Sequence, residues 1–334
     1  MPEPTISPEL FFETANAYQK SAALKTAVEL EIFTQIGEGA TAQDLATRCG
    51  ASQRGIRVLC DFLVIHEFLE KQNDSYRNTA SSAVFLNKKS PAYLGSALEF
   101  LLSQELILTF DHLTETVRKG TLDSKEGLIA PENPVWVTFA RSMTPLIAGP
   151  ADQLAKLAAL PQDKPVRILD IAAGHGMFGI TFARHYPNAQ IYALDWKNVL
   201  QLAEENAEKA GVRERFHKIA GSAFDVELGS DYDVVLITNF LHHFDSETCV
   251  KFLHRVFNAL GPTGKAITLE FVPNEDRVTP KLAASFAMIM LAETPGGDAY
   301  TFRELEKMHL LAGFTRCTSH QLEQSIQLAI VAQK

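Results

Sequence analysis

Residues 167–180, RILDIAAGHGMFGI, decide how this chain is read. An apolar run ending in Asp170 leads into a glycine-rich turn and then into a segment suited to a helix, the strand–turn–helix order of a nucleotide-binding unit. Two patterns overlap on the turn. Gly174-His-Gly176-Met-Phe-Gly179 is a literal G-x-G-x-x-G, the fingerprint of a dinucleotide-binding turn. Asp170-x-Ala172-x-Gly174-x-Gly176 is the D-x-G-x-G-x-G of a methyl-donor turn, with Ala in place of the first Gly. The two patterns imply different reactions, and the surrounding sequence has to choose between them.

Downstream of Pro165, strands and helices alternate. VRILDIA reads as a buried parallel strand, MFGITFARHYP as a helix, AQIYALD as a strand, and WKNVLQLAEENAEKAG as a helix closed by Gly211. RFHKIAG, YDVVLITNF and GKAITLEFV continue the strands, with SETCVKFLHRVFNALG as the helix before the last of them. This alternation predicts a doubly wound, Rossmann-like α/β sheet. After an insertion from Asn274 to Tyr300 and the helix FRELEKMHLLAG, the chain ends in FTRCTSHQL and SIQLAIVAQK. No helix separates these last two strands, which predicts an antiparallel hairpin at the sheet edge.

Upstream, the first hundred residues read as all-helical apart from one β-ribbon. ETANAYQKSAALKTAVELEIF has helical apolar spacing. TAQDLATRCG is punctuated by Thr41 as N-cap and Gly50 just past the end, and SQRGIRVLCDFLVIHEF starts on Ser52. LEKQNDSYRNT then reads as strand, turn at Asn73-Asp74, strand. This is the order of a winged helix-turn-helix. A DNA-reading module is normally basic, whereas residues 1–100 carry nine Lys and Arg against twelve Asp and Glu. The wing is therefore read as a packing or dimerisation scaffold. Between them, YLGSALEFLLSQELILTFDHLTETVRKG and PVWVTFARSMTPLIAGPADQLAKLAAL read as long amphipathic helices punctuated by Pro131, Pro134, Pro145, Pro150 and Pro161. The expected organisation is a dimerisation domain over 1–95, bridging helices and a pocket wall over 96–160, and a catalytic domain over 161–334.

Composition narrows the classes further. The formal charge of −9 disfavours nonspecific binding to nucleic acid or to an anionic membrane. Cys49, Cys60, Cys249 and Cys317 form no C-x-x-C pair and read as the reduced thiols of a cytoplasmic protein. MPEPTISPEL has the marks of no signal peptide, and no apolar run approaches the roughly 18–20 residues of a membrane span.

Three features favour the methyl-donor pattern. A carboxylate at Asp170 would face the pyrophosphate of a dinucleotide, whereas a cationic sulfonium tolerates it. The terminal hairpin suits a seven-stranded methyltransferase sheet. NFLHHFD follows the fourth strand, which sets His242 and His243 at the carboxyl edge of the sheet, where ligands bind. Asp195, ending the next strand, can hold the ribose of either cofactor and does not discriminate. A nicotinamide-dependent oxidoreductase and a winged-helix transcription regulator remain the alternatives.

With these residues in view, nearly the whole chain resembles the class I S-adenosylmethionine-dependent O-methyltransferases, the group of plant caffeate and flavonoid enzymes and bacterial small-molecule enzymes. LDIAAGHG resembles their glycine-rich motif, ALDW the ribose-binding acid, AGSAFD the adenine segment and FLHHFD the L-H-D-W catalytic segment. LEFVPNED and TPGGDAYTFRELEKM resemble a second acidic motif and the Gly-Gly element near the substrate. The resemblance implies a homodimer that transfers a methyl group from S-adenosylmethionine to a hydroxyl of a small, largely apolar acceptor, without a metal. It implies His242 as general base and Glu270 as the acid that orients it. It implies Asp170, Gly174, Gly176, Asp195, Trp196, Ser222, Ala223, Phe224 and Met143 as the donor site, with Trp196 and Phe224 sandwiching adenine. Trp136 and Phe139 from one helix, and Phe286, Ile289 and Met290 from the insertion, are expected to line the acceptor pocket. Three positions depart from the family pattern. His243 and Phe244 stand where the plant enzymes have Asp and Trp, and Ala299 stands where the family has a second catalytic acid. His243 is not expected to be catalytic, and His242, His243, Cys249 and His254 form no recognisable zinc pattern.

Overall fold

The computed structural model describes residues 6–122, 132–144 and 147–334. The chain divides into two compact units, Met1–Ser103 and Gln104–Lys334. Of the expected punctuating prolines, Pro131 and Pro145 lie outside the described residues.

The first unit runs α1 (Glu9–Ala15), α2 (Ala17–Glu29), α3 (Ile32–Gln35), β1 (Ala40–Thr41), α4 (Ala42–Cys49), α5 (Gln53–Ile65), β2 (Leu69–Gln72), β3 (Ser75–Asn78), α6 (Ala80–Phe85) and α7 (Leu98–Leu101). The expected caps form. The Thr41 hydroxyl accepts the Asp44 N–H at 3.2 Å while the Asp44 carboxylate accepts the Thr41 N–H at 3.0 Å, and Gly50 closes α4 in the left-handed region at φ 61°. Ser52 caps α5 through the Gly55 N–H. The segment read as one N-terminal helix instead breaks at Asn16 and again at Glu31, whose φ of 55° cannot continue a right-handed helix. The wing is also a three-stranded sheet, order β1-β3-β2, because Ala40 and the α4 cap Thr41 add a third strand. Ile32, Phe33, Ile36, Leu45, Ile56, Leu63, Leu69 and Tyr76 form the core. On α5, Asp61 accepts from Arg57, Lys71 and Tyr76, so the basic side chain of this helix at Arg57 is spent on its own acid.

The second unit contains α8 (Gln104–Asp111), α9 (Leu113–Lys119), α10 (Val135–Met143), α11 (Ala148–Ala158), β4 (Val166–Ile171), α12 (Met177–His185), β5 (Ala189–Asp195), α13 (Lys197–Lys209), β6 (Phe216–Ala220), β7 (Tyr232–Thr238), α14 (Ser246–Ala259), β8 (Leu260–Glu270), α15 (Lys281–Glu293), α16 (Phe302–Leu311), β9 (Arg316–Gln321) and β10 (Leu328–Gln333). The helices expected to bridge belong from Gln104 onward to this unit. The long run from Tyr93 to Gly120 is not one helix. A 3₁₀ turn precedes α7, and the chain leaves the helical conformation at Leu102 and eases at His112. With Leu106 the one buried residue of α8 and Thr116 of α9, no continuous apolar face holds a single long helix together.

The seven strands lie in the order β6-β5-β4-β7-β8-β10-β9. The first five are parallel, and β10 runs antiparallel to both β8 and β9, as the missing helix between the last two strands predicts. The two parallel faces are covered, one by α11, α12 and α13 and the other by α14 and α16. The strand order reverses at β4, with β5 on one side and β7 on the other, so the turn after Ile171 opens at the switch point where doubly wound sheets bind ligands. No helix among the described residues is long and apolar enough to cross a membrane. All four cysteines are unpaired.

Candidate active site

The three glycines of the opening stretch have two different reasons to be glycine. Ala172, Gly174 and Gly176 all take left-handed conformations, with φ of 50°, 56° and 75°. A Cβ on Gly174 would meet nothing nearer than the Ala172 carbonyl at 3.9 Å, which leaves an open cradle. A Cβ on Gly176 would stand 3.0 Å from the Ala203 Cβ and 3.2 Å from the Phe216 ring, so this glycine lets α12 and α13 close on the sheet. Gly179 is tighter still. Its Cβ would lie 2.5 Å from the Ile191 side chain and 3.0 Å from Asp170 Oδ2. The third glycine of G-x-G-x-x-G therefore reports helix-on-strand packing and does not distinguish the cofactors.

Asp170 is fully buried and accepts the Gly179 N–H at 2.9 Å, pinning the first turn of α12 to the end of β4. Burial pushes its carboxyl up to about 7, against the Gly179 hydrogen bond that favours the charged form. Asp195 closes β5 beside the cradle. One of its oxygens accepts the Gly174 N–H at 2.8 Å and the other the Trp196 N–H at 2.6 Å, and burial raises it to about 6. Each carboxylate oxygen keeps a further lone pair, enough for two ribose hydroxyls. An open glycine cradle beside a largely buried carboxylate fits a nucleoside-bearing methyl donor.

The adenine segment follows β6. The Ser222 hydroxyl accepts the Phe224 N–H at 3.2 Å, Ala223 is buried, and the Phe224 ring joins Phe244 at 4.8 Å and Phe252 at 5.5 Å. Arg255, which the sequence did not single out, donates to the carbonyls of Ala223 at 2.7 Å and Val226 at 2.5 Å and holds the segment in place. Trp196 is half-buried as the N-cap of α13, and Met143 is half-buried as the last residue of α10.

The segment expected to be catalytic is a 3₁₀ turn, Leu241–His243, after β7. Glu270 ends β8 beside it, and both Glu270 and His242 are buried. Glu270 Oε1 accepts the backbone N–H groups of Phe240 at 3.0 Å, Leu241 at 2.9 Å and His242 at 3.4 Å, while Oε2 meets His242 Nδ1 at 2.5 Å. A carboxylate can only accept, so Nδ1 carries the proton and Nε2 is the basic nitrogen. One side chain thus shapes the turn and sets the tautomer. The Phe286 ring stands edge-on to His242 at 4.8 Å and stacks on Phe271, a second residue the sequence did not single out, at 4.0 Å. Across from it, Trp136 meets Phe139 at 5.8 Å and His243 at 5.5 Å. Met290 is buried and Ile289 half-buried on α15. His243 lies 4.2 Å from His242, ring to ring, with its Nδ1 buried and unpartnered among the described residues. Burial and the neighbouring His242 hold it neutral, well below the usual imidazole range.

The Gly-Gly element lies against this turn. Gly297 accommodates the His242 carbonyl, the Asp298 N–H donates to that carbonyl at 3.0 Å, and the Thr294 hydroxyl accepts the Gly297 N–H at 2.8 Å. Asp298, next to the position of the missing family acid, pairs with Arg277 at 3.2 Å, and Ala299 is fully buried. The buried contact at this turn is therefore a pair, His242 with Glu270, while Asp298 is engaged by Arg277.

Comparison with known proteins agrees with this geometry. The family model of the O-methyltransferase domain matches residues 142–315, over half the chain. The chain belongs to the S-adenosylmethionine-dependent O-methyltransferase family. The model of the O-methyltransferase dimerisation domain matches residues 12–88 of this methyltransferase. It is 28% identical to the 3-hydroxy-5-methyl-1-naphthoate 3-O-methyltransferase of Streptomyces sahachiroi over 89% of this chain and 86% of that one. It is 25% identical to the acetylserotonin O-methyltransferase of Gallus gallus over 92% of both. Among solved structures, a Nostoc punctiforme protein is 51% identical and superposes with a TM-score of 0.96 over 99% of this chain and 100% of that one. The methyltransferase reading of the opening stretch holds: the enzyme transfers a methyl group from S-adenosylmethionine to a small-molecule hydroxyl. Neither the nicotinamide nor the DNA-binding alternative has a counterpart among these relatives.

Proposed function

We propose that this enzyme methylates an aromatic hydroxyl on a small, largely apolar acceptor, with His242 Nε2 as the general base. The observation that carries this is the His242 Nδ1–Glu270 Oε2 contact at 2.5 Å beneath the Phe286 ring. As the acceptor oxygen forms its bond to the methyl carbon, its proton passes to Nε2, and the adjacent Glu270 carboxylate stabilises the imidazolium. The donor supplies an electrophilic methyl group whose bond to sulfur breaks with its electron pair left on sulfur. The proton then leaves His242 for solvent. A positioned base of this kind contributes about 10²–10⁴-fold, and fixing the two reactants in line contributes the rest. The pair accepts the proton without a metal.

For the donor, Asp195 holds the ribose, Gly174 admits it, Trp196, Ser222, Ala223 and Phe224 border the adenine, and Met143 lies near the methyl group. Asp170 acts through Gly179 as a positioning residue. Trp136, Phe139, Phe286, Ile289 and Met290 give the acceptor flat apolar walls. The naphthoate and acetylserotonin named for the two relatives are hydroxylated fused rings, which supports an aromatic acceptor here. The match to a dimerisation domain and the exposed Leu10, Phe11 and Phe12 of α1 support a homodimer built on residues 1–95.

Isothermal titration with S-adenosylhomocysteine tests the donor site, and micromolar binding is expected. His242→Ala should then cut turnover of a naphthol panel at least tenfold while leaving that affinity within a few-fold. Equal loss of both would make His242 structural.

A further inference from the structure

Glu293 is the last residue of α15. Its side chain is buried, with 6% of the residue exposed, and Oε1 has no hydrogen-bond partner among the described residues. At about 100° per residue, the seven positions from Phe286 to Glu293 return within roughly 20° of the same helix face. Glu293 thus continues the stripe of Phe286 and Met290, and Phe286 packs on His242 at 4.8 Å. Seven residues also carry it on the order of 10 Å along the helix from Phe286. The stripe is otherwise apolar. A buried carboxyl without a partner is costly, and such groups are normally satisfied by something. Burial alone pushes this one up to about 7, with no neighbouring charge contributing. It is therefore not a substitute for the missing acid beside His242.

We propose that Glu293 is the polar anchor of the acceptor chamber, hydrogen-bonding an N–H or O–H group at the end of the acceptor remote from the hydroxyl that is methylated. This rests on the reading of α15 as the acceptor wall. It defines the acceptor class more closely than apolar walls do: a flat ring system with a hydroxyl at one end and a hydrogen-bond donor at the other. The remote donor satisfies Oε1 and fixes which hydroxyl reaches His242. An acceptor lacking it leaves the carboxyl stranded, which is the situation in which discrimination is large.

The test compares 6-amino-2-naphthol with 2-naphthol, titrated into the protein saturated with S-adenosylhomocysteine. The amino compound is expected to bind at least tenfold more tightly, and Glu293→Leu should bring the two affinities together by weakening the first and improving the second. Should the leucine variant fail to fold, Glu293→Gln takes its place, with the ratio expected to fall severalfold. Equal affinities in the unaltered enzyme, or a ratio that survives substitution, would overturn the proposal. Binding of neither naphthol would overturn it too. The donor titration is read separately, so a failure here is distinguishable from a failure of the methyltransferase site itself.

Discussion

A Cβ placed on Gly297 would stand 2.2 Å from the carbonyl oxygen of His242. Real Cβ atoms do not approach a backbone oxygen that closely, so the second glycine of the Gly-Gly element sets how near its loop lies to the His242 turn. Gly297→Ala must push the 240–243 turn away or lose the Asp298 hydrogen bond to it. A displacement of about 1 Å costs roughly 10²-fold in rate. Turnover should fall by that order while affinity for S-adenosylhomocysteine, measured by calorimetry, stays within a few-fold. An active alanine variant would show that the turn tolerates the displacement.

Glu270→Gln keeps an oxygen for the three backbone N–H groups but turns an amide N–H toward His242 Nδ1. The imidazole must then flip its tautomer or lose the bond, and in either case Nε2 is no longer held as a base opposite a carboxylate. A loss of about 10²–10⁴-fold in kcat is expected. Single-turnover rates with saturating donor isolate this step, and a rate near that of the unaltered enzyme would remove Glu270 from the mechanism.

Gly179→Ala puts a methyl group into contact with Ile191 and Asp170. Overpacking of this kind costs about 1–3 kcal/mol. Urea unfolding of the variant should show that loss. A variant of unchanged stability would contradict the packing account of the third glycine.

Ala172 stands in a left-handed conformation where the donor-turn pattern has Gly. A non-glycine residue pays about 1–2 kcal/mol there, partly returned by the looser unfolded chain that glycine brings. Ala172→Gly should stabilise the second unit by about 0.5–1 kcal/mol in the same urea experiment. Destabilisation would mean that the Ala172 methyl makes packing contacts worth more than the strain.

The Glu293 carboxyl titrates at about 7 in the folded chain, against 4.5 for an ordinary glutamate. The folded state therefore holds a proton that the unfolded state has already released. This contribution to stability falls as pH rises from about 4.5 to about 7 and is level above that. Glu293→Gln carries no such term. Its stability relative to the unaltered chain should improve between pH 5 and pH 8 by on the order of 2 kcal/mol, with Asp170 and Asp195 cancelling because both chains contain them. A pH-independent difference would place the carboxyl in water.

The sheet was legible because its signals are local. VRILDIA, AQIYALD and YDVVLITNF are short apolar runs bounded by turns, and the absence of a helix between the last two strands gave away the hairpin. His242 and Glu270 were legible through the motifs around them, and the structure brings them together across 28 positions of chain. What was not legible depends on tertiary surroundings. Arg255 reads as one more charge on an amphipathic helix until its two carbonyl partners are seen. Phe271 and Glu293 look like ordinary members of LEFV and MLAE, because neither a ring stack on a distant helix nor a buried carboxyl oxygen without a partner has a sequence signature. The breaks at Asn16 and His112 fall inside runs whose helical spacing is unbroken, and two-residue strands such as β1 are too short for any period to show.

At one end of α14, Asp245 caps the helix just after the 241–243 turn; ten residues further along, Arg255 grips the carbonyls of Ala223 and Val226. This one helix joins the two, so on the proposed reading of the site the span from the adenine to His242 is one fixed dimension. Helix α15 is no part of that link. If α15 is the acceptor wall proposed above, exchanging its side chains retailors the chamber without altering the distance between donor and His242, which makes α15 the place to redesign this enzyme's selectivity.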